Sequence, residues 1–579
     1  MADSLESYLR GAGVDSLVAA HPAVLDRVPA GLATVVEVPV VEVPGVEVPG
    51  VEVLGDPGPV EARWDAVTLV VPDRLALRAV AGDAARLPAL GSSRRIAVWL
   101  ATGPGLAPRP AAGWPRLDAT RSRRLADGSW LCVLRFASAL PVAPVLAEVA
   151  RQAVRRDRDG TGGLWVAALP PGDDDEVPAD VVLGDGARPP TVHPVLGRAP
   201  VTVVPEGPGR LGPLDARALN PIGFPLIATS PTTDLATDAR LGDDLVDRLR
   251  RAASVRLTWP TRPDLDLART VAGLAMTGTV LTTRAIPDWA ADLLGRPVVT
   301  ALQATLPPDD ELAREEHSVV LRRAALDTFS APAWRRRTAT QAGVRVAGDP
   351  AVSVVLATKR PEMADFALAQ VARQRGVAVE LVLAPHGFDV DETRARATLG
   401  AHTLVLRPQP EDALFGDVLQ SCADAASGDV LLKMDDDDWY SPDAVTDLLR
   451  ARAYSGAEVV GMPAEFHYLT EPDLTVRRGH GAEVYARFVA GGTLMIDRPL
   501  LREVGGFRAV RRFVDAQLLA GVAAAGGTVY RTHGLGYVLR RNPTGHTWQV
   551  DLDYLLDPSR VHHRWEGFRP SRLLEQTLA

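Results

Sequence analysis

Apolar and polar positions change rhythm twice along the chain. Over residues 1 to about 205, short valine-rich runs are broken by proline and glycine, and few stretches carry the spacing of a long amphipathic helix. Ser92–Ala101 and Ser129–Phe136 read as strands within this β-rich region. From 206 to 330 strand and helix patterns alternate, with strands at 254–260 and 279–284 and helices at 264–278 and 287–295. That order predicts a parallel sheet and a small α/β, Rossmann-like domain. Residues 315–341 read as a basic amphipathic helix broken near Pro332, suited better to connecting domains than to lying on a membrane, and 331–350 read as a linker. From Ala351 the signals sharpen: a buried strand at Val352–Ala357, a helix reaching about Arg375, and strands at 377–387 and 402–409. A helix around Phe415–Ser427 follows, closed by Gly428; then come a strand at Val430–Met434 and a helix with Ser441 as its expected N-cap.

Length and charge narrow the classes. At 579 residues the chain is long enough for three or four domains. A net charge of -9 without a basic block argues against nucleic-acid binding. Cys132 and Cys422 are too few and too far apart for a disulfide framework or a cysteine-rich zinc site. No apolar run approaches the ~18–20 residues of a membrane span, and the first residues lack a signal pattern, so the expected location is cytoplasmic, with peripheral contact at the inner face of the membrane allowed. A valine-flanked repeat at Glu37, Glu42, Glu47 and Glu52, punctuated by Pro39, Pro44 and Pro49, reads as an extended or edge segment. The acidic stretch 172–176 reads as a solvated loop, and no glycine-rich phosphate loop follows any central strand. Both lysines of the chain, Lys359 and Lys433, fall in the last part, as do eight of the eleven histidines.

The chemistry concentrates where Val430–Met434 runs into Asp435, Asp436, Asp437 and Asp438. Four adjacent carboxylates repel one another, so their partial burial at a sheet end calls for a cation. Residues i and i+2 of a strand point the same way, which lets Asp435 and Asp437 converge. Ligands of open α/β sheets sit at the carboxyl ends of the strands, and hard carboxylate oxygens suit Mg²⁺ or Mn²⁺ held with phosphate. An EF-hand reading fails because Tyr440 stands where its glycine is needed; a phosphatase DxDx[TV] reading fails at Trp439.

Residues 351–579 resemble the family 2 glycosyltransferases, whose nucleotide-diphospho-sugar domain has the GT-A fold. The resemblance rests on VSVVLATKRP, ASGDVLLKMDDDDWYSP, GGTLMIDRPLLREVGGF and VDAQLLAGVAAAG, in that order and spacing. It implies that Asp437 binds the metal that holds the donor diphosphate, with Asp435 and Asp436 on the donor. It places Thr358 and Lys359 in the loop that touches the nucleotide, and Asp515 as the general base, with Val514 where relatives carry glutamate. A late histidine completes the metal shell in many GT-A enzymes, and His546 is similar in placement; Arg540 and Arg541 are further donor contacts. The implied activity is a metal-dependent, inverting transfer of a sugar from a nucleotide-sugar donor to a hydroxyl of a glycan or lipid-linked glycan, as in cell-envelope or exopolysaccharide synthesis. The implied cofactor is Mn²⁺ or Mg²⁺. Two alternatives stand beside it: a scaffold whose GT-A domain is inactive, and a sugar-phosphate nucleotidyltransferase. The latter is disfavoured because ATKRPEM lacks a glycine-rich loop.

Overall fold

In the computed structural model, residues 4–10, 16–20, 22–29, 34–37, 62–81, 90–102, 106, 108, 117–156, 166–168, 181–183, 201–220, 223–307, 310–343, 350–525, 527–542 and 552–576 are described. The chain divides into two compact units, Met1–Gly163 and Leu164–Ala579.

The first unit is built on one sheet. Its strands run in the order Thr34–Glu37, Ser16–Ala20, Ala66–Val71, Ser92–Leu100, Trp130–Pro141 and Leu117–Arg124. The first four are parallel and the last two antiparallel. Parallel pairing needs crossover connections, and the helix Val142–Arg156 packs its apolar stripe (Val142, Val145, Leu146, Val149) into the same core as Val67, Leu69, Ile96 and Val98. The valine–glutamate repeat beyond residue 37 and the stretch 172–176 lie outside the described residues.

The second unit joins the central region to the C-terminal region through one hydrophobic core. Three short parallel strands, Thr233–Asp234, Val255–Arg256 and Leu281–Thr282, carry the helices Leu265–Met276, Asp288–Leu294 and Arg296–Leu302. The long helix expected at 315–341 is two helices, Glu311–Phe329 and Ala331–Gln341. Ser330 caps the second, and Pro332 sits in its first turn, where no backbone N–H is missed. Neither is a surface connector. Arg314, Glu315, Glu316, His317 and Arg322 are buried, and the Trp334 indole, also buried, donates to the Gly209 carbonyl. The segment expected as a linker is therefore a packed helix as far as Gln341. Among the described residues, no helix is long and apolar enough to cross a membrane.

An eight-stranded mixed sheet positions the site. Its order is Thr403–Leu406, Val379–Pro385, Val352–Thr358, Val430–Met434, Met495–Asp497, Val459–Gly461, Val529–Arg531 and Val484–Tyr485. The first four strands are parallel, and Met495–Asp497 runs against them. A second sheet carries Trp439–Tyr440 beside Tyr537–Arg541, Phe466–Leu469, Leu474–Arg478 and Val561–Glu566. Alternation sorts the strand residues. Leu432 and Met434 enter the core shared with Ala367, Leu368 and Leu448, whereas Leu431 enters the opposite core with Val418, Leu419 and Leu518. Lys433 shares the face of Leu431 and so points toward the helices Phe415–Ala425 and Val514–Ala524. The helix after the aspartates begins at Ala444 with Asp443, not Ser441, as N-cap. Ser441 is fully buried, and the Asp443 carboxylate is held by Arg323 and Arg375 instead.

Candidate active site

The four aspartates follow directly on the strand end, and their environments differ. Asp435 is the most open, with a side chain 34% exposed; Asp436, Asp437 and Asp438 are buried. Thr358, at the end of the neighbouring parallel strand, donates to Asp436. Two residues later Arg360 spreads its guanidinium over both Asp436 and Asp437, with 2.8 Å from Nη1 to Asp437 Oδ2. Burial raises the Asp436 carboxyl above its ordinary range, against the pull of Arg360 and Thr358. Asp438 faces inward to the Tyr537 hydroxyl and the Arg540 backbone N–H. Burial, then repulsion from Asp437 and Asp435, holds its carboxyl well above the usual value. That aspartate is a structural member of the cluster, its two oxygens accepting from the Tyr537 hydroxyl and the Arg540 N–H.

Asp515 comes to the same place from the far side of the sheet. The buried Lys433 ammonium lies 2.6 Å from Asp435 Oδ1 and 3.5 Å from Asp515 Oδ2. Burial alone would lower this lysine; Asp435 and then Asp515 hold it above an ordinary lysine, so it stays charged. Burial raises the Asp515 carboxyl, and Lys433 opposes the rise. Asp515 Oδ1 is buried without a hydrogen-bond partner, while the side chain as a whole keeps 26% of its exposure. Two glycines make room. A Cβ on Gly491 would lie 2.0 Å from Asp515 Oδ2, and one on Gly492 2.8 Å from Asp435 Oδ2 and 2.9 Å from the Tyr440 hydroxyl. Tyr440 ties the site together by donating to the Gly492 carbonyl and accepting from the Asp435 N–H.

The remaining sequence-derived residues divide. Lys359 turns away from the aspartates and donates to the Glu411 carbonyl at 2.7 Å. The Arg540 guanidinium lies over both the Trp439 and Phe366 rings, 4.0 and 4.4 Å from their centroids, in the corner that this perpendicular pair makes. Burial lowers it, with Asp437 and Asp438 opposing. Arg541, next on the strand, points to the opposite face. His546 lies outside the described residues. Arg360 and Lys433 were not assigned roles from sequence. A lysine inside a five-residue buried strand was the available signal, since such a residue must find a carboxylate.

Residues 355–519 match the family model described as glycosyl transferase family 2. This segment is a family 2 glycosyltransferase domain. The match runs from the first strand through Asp515 and so spans Thr358, Arg360, all four aspartates and the Gly491–Gly492 pair. Solved structures similar to the chain include the mannosyltransferase PcManGT from Pyrobaculum calidifontis in complex with GDP-Man and Mn²⁺, at 17% identity and a TM-score of 0.28. TarS 1–349 of S. aureus in complex with UDP-GlcNAc is similar at 14% identity and a TM-score of 0.28. Each match covers 34% of this chain, and 58% and 62% of those chains, so the chain spans about three fifths of their length. No curated protein matches the chain.

Proposed function

We propose that the chain is a metal-dependent, inverting glycosyltransferase that uses a nucleotide-diphosphate sugar and acts on a hydroxyl of a cell-envelope or exopolysaccharide glycan. The observation that carries the reading is the meeting of Asp435 and Asp515 on one buried ammonium, Lys433, at the carboxyl end of the central strands. Donor-side and acceptor-side carboxylates thereby share one rigid support. The catalytic domain in this proposal is 351–579, with 1–205 and 206–330 as accessory regions.

The residues can perform the reaction with few parts. Asp515 accepts the acceptor's hydroxyl proton, and the freed oxygen attacks the anomeric carbon. The bond from that carbon to the diphosphate breaks, configuration inverts, and the nucleoside diphosphate leaves. Lys433 opposes the rise that burial imposes on the Asp515 carboxyl and sits between it and Asp435. Thr358 and Arg360 orient Asp436 and Asp437 at the donor end.

The cluster suits a hard cation. Among the described residues no group of three or more His, Cys, Asp or Glu could hold a metal, but Mg²⁺ and Mn²⁺ in phosphate sites need only one or two carboxylates plus the phosphates. Asp437, with Asp435 beside it and His546 as the proposed late ligand, would hold the ion. When bound it would supply Lewis-acid assistance to the departing diphosphate.

Arg360 supports a second reading. Its guanidinium already engages Asp437, as in a domain that has given up metal for an internal cation, and an inactive scaffold would look this way. Hydrolysis of a panel of UDP-, GDP- and dTDP-sugars with Mn²⁺, Mg²⁺ or EDTA separates the two. Metal-dependent release of one nucleotide, lost in Asp437→Ala, is expected of the enzyme; no metal-dependent release or binding of any donor is expected of the scaffold.

A further inference from the structure

Two segments of the family 2 domain carry the same tripeptide, Arg487-Phe488-Val489 and Arg512-Phe513-Val514. In both, the valine is buried in the same hydrophobic cluster, and in both the phenylalanine is turned out: Phe488 is 54% and Phe513 73% exposed. The segments meet at the base. Phe488 lies three residues before Gly491, Phe513 two residues before Asp515, and Gly491 is packed directly against the Asp515 carboxylate.

The exposed phenyls are held in place. Phe507 is buried, its N–H donates to the Gln420 side chain at 2.7 Å, and the Gly416 N–H donates to the Val510 carbonyl at 3.0 Å. Beyond that anchor the chain presents Arg511, Arg512 and Phe513 to solvent. Phe513 adopts φ 62° and ψ 24°, a left-handed conformation that side-chain-bearing residues rarely adopt, to start the helix that bears Asp515. Strain of this kind at a residue with no buried contact to gain calls for a use outside the fold. Arg487, Arg508, Arg511 and Arg512 are all exposed, with no ion-pair partner among the described residues. The nearby carboxylates Asp435 and Asp515 are already served from within by Lys433, so these arginines do not serve them.

A sugar ring offers an apolar C–H face to a phenyl, and guanidinium groups bind carboxylate or phosphate in bidentate fashion. We infer that Arg487, Phe488, Arg511, Arg512 and Phe513 form the acceptor subsite, and that the acceptor is an acidic glycan. Its anionic sugar lies beside the hydroxyl that Asp515 deprotonates. The inference rests on the proposed role of Asp515. A glycan is favoured over a lipid surface because Arg512 and Phe513 lie within three residues of the proposed base, Asp515.

The test is affinity electrophoresis of the full chain in native gels containing polygalacturonate or dextran. With a net charge of -9 the chain has no bulk attraction to a polyanion, so retention reports a local site. Wild type is expected to be retarded by polygalacturonate and not by dextran. The double variant Arg511→Gln/Arg512→Gln should lose the retardation, and Phe513→Ala should weaken it about tenfold, a loss typical of an aromatic stacking contact. Phe513→Trp should keep it, which guards against misfolding as the cause. Asp515→Asn should bind like wild type while losing transfer. If Asp515→Asn keeps both binding and transfer, the base assignment fails and the rim remains as an acidic-glycan site. Equal mobility of wild type in both gels would overturn the inference. So would retardation that survives the arginine changes, or flotation with phosphatidylglycerol vesicles in the absence of glycan retardation.

Discussion

The second unit buries two groups of charges, one at the carboxyl ends of the strands and one beneath the helix Glu311–Phe329, and they behave oppositely. In the group beneath the helix, arginines are matched to carboxylates. Arg322 lies 3.0 Å from Glu483, which also accepts from Tyr454, Tyr530 and Thr532. Arg323, Arg450 and His533 surround Asp447. Despite burial, the carboxyls of Glu483 and Asp447 are held below their ordinary range by these cations, Asp447 far below. At the strand ends, burial wins: Asp436, Asp438 and Asp515 are all raised. The matched group fixes the central region to the catalytic domain; the under-neutralised one has capacity for a further cation and for a proton. Surplus negative charge, not charge as such, distinguishes the site.

The largest expected effect is on the unmatched side. Asp515→Asn should lower kcat by about 10²–10⁴-fold with donor affinity retained, measured by transfer kinetics and donor binding. Next comes a break on the matched side. Arg477 is buried between Glu315 and Glu465, and Arg477→Met strands both carboxylates, so denaturant unfolding should show a loss of about 3–5 kcal/mol.

Arg477 also marks where the two regions converge in behaviour, because one cation serves two glutamates. Burial, then Glu465, pushes Glu315 up to about 8. Its folded value lies above its unfolded value of 4.5, so the folded state binds the extra proton. Stability should therefore fall as pH rises from about 4.5 to about 8, and the slope should flatten in Glu315→Gln; urea midpoints across that range decide it.

A smaller effect tests Lys433. In Lys433→Met, Asp515 loses the charge that opposes its desolvation. The acid limb of the kcat profile should then move to higher pH, because the base must be ionised to act, and Lys433→Arg should restore part of the shift. An unmoved limb would remove Lys433 from the support of Asp515. The smallest effect belongs to an exposed pair: Arg396→Ala, which breaks the Glu392–Arg396 contact, should cost less than about 0.5 kcal/mol in the same unfolding measurement.

How far the sequence was legible follows the range of the interactions. The strand Val430–Met434 was read to the residue because apolar runs and glycine stops are local signals. The cap at Ser441 was misread. Asp443 takes that position without a side-chain cap bond, and its carboxylate is held instead by Arg323 and Arg375, distant in sequence. The helix read at 315–341 looked basic and amphipathic, with no sign of its partners, for the same reason: nothing local says that Arg322 will meet Glu483, 161 positions on. Likewise Arg360, next to the expected Lys359, carries the contact to the aspartates, because the turn after the strand decides which of two adjacent cations faces inward.

What the sequence determined by itself was the order of strands and helices from Val352 to the helix after the aspartates, the row of aspartates at a strand end, and the family spacing that reaches Asp515. Those follow from periodicity and from covalent adjacency. Only the tertiary structure decided which carboxylates share Lys433, which one is buried against Tyr537, and which phenyls remain in water near Asp515. Each of those depends on what a side chain loses in hydration and gains from a partner far along the chain, and that balance exists only once the layers have packed.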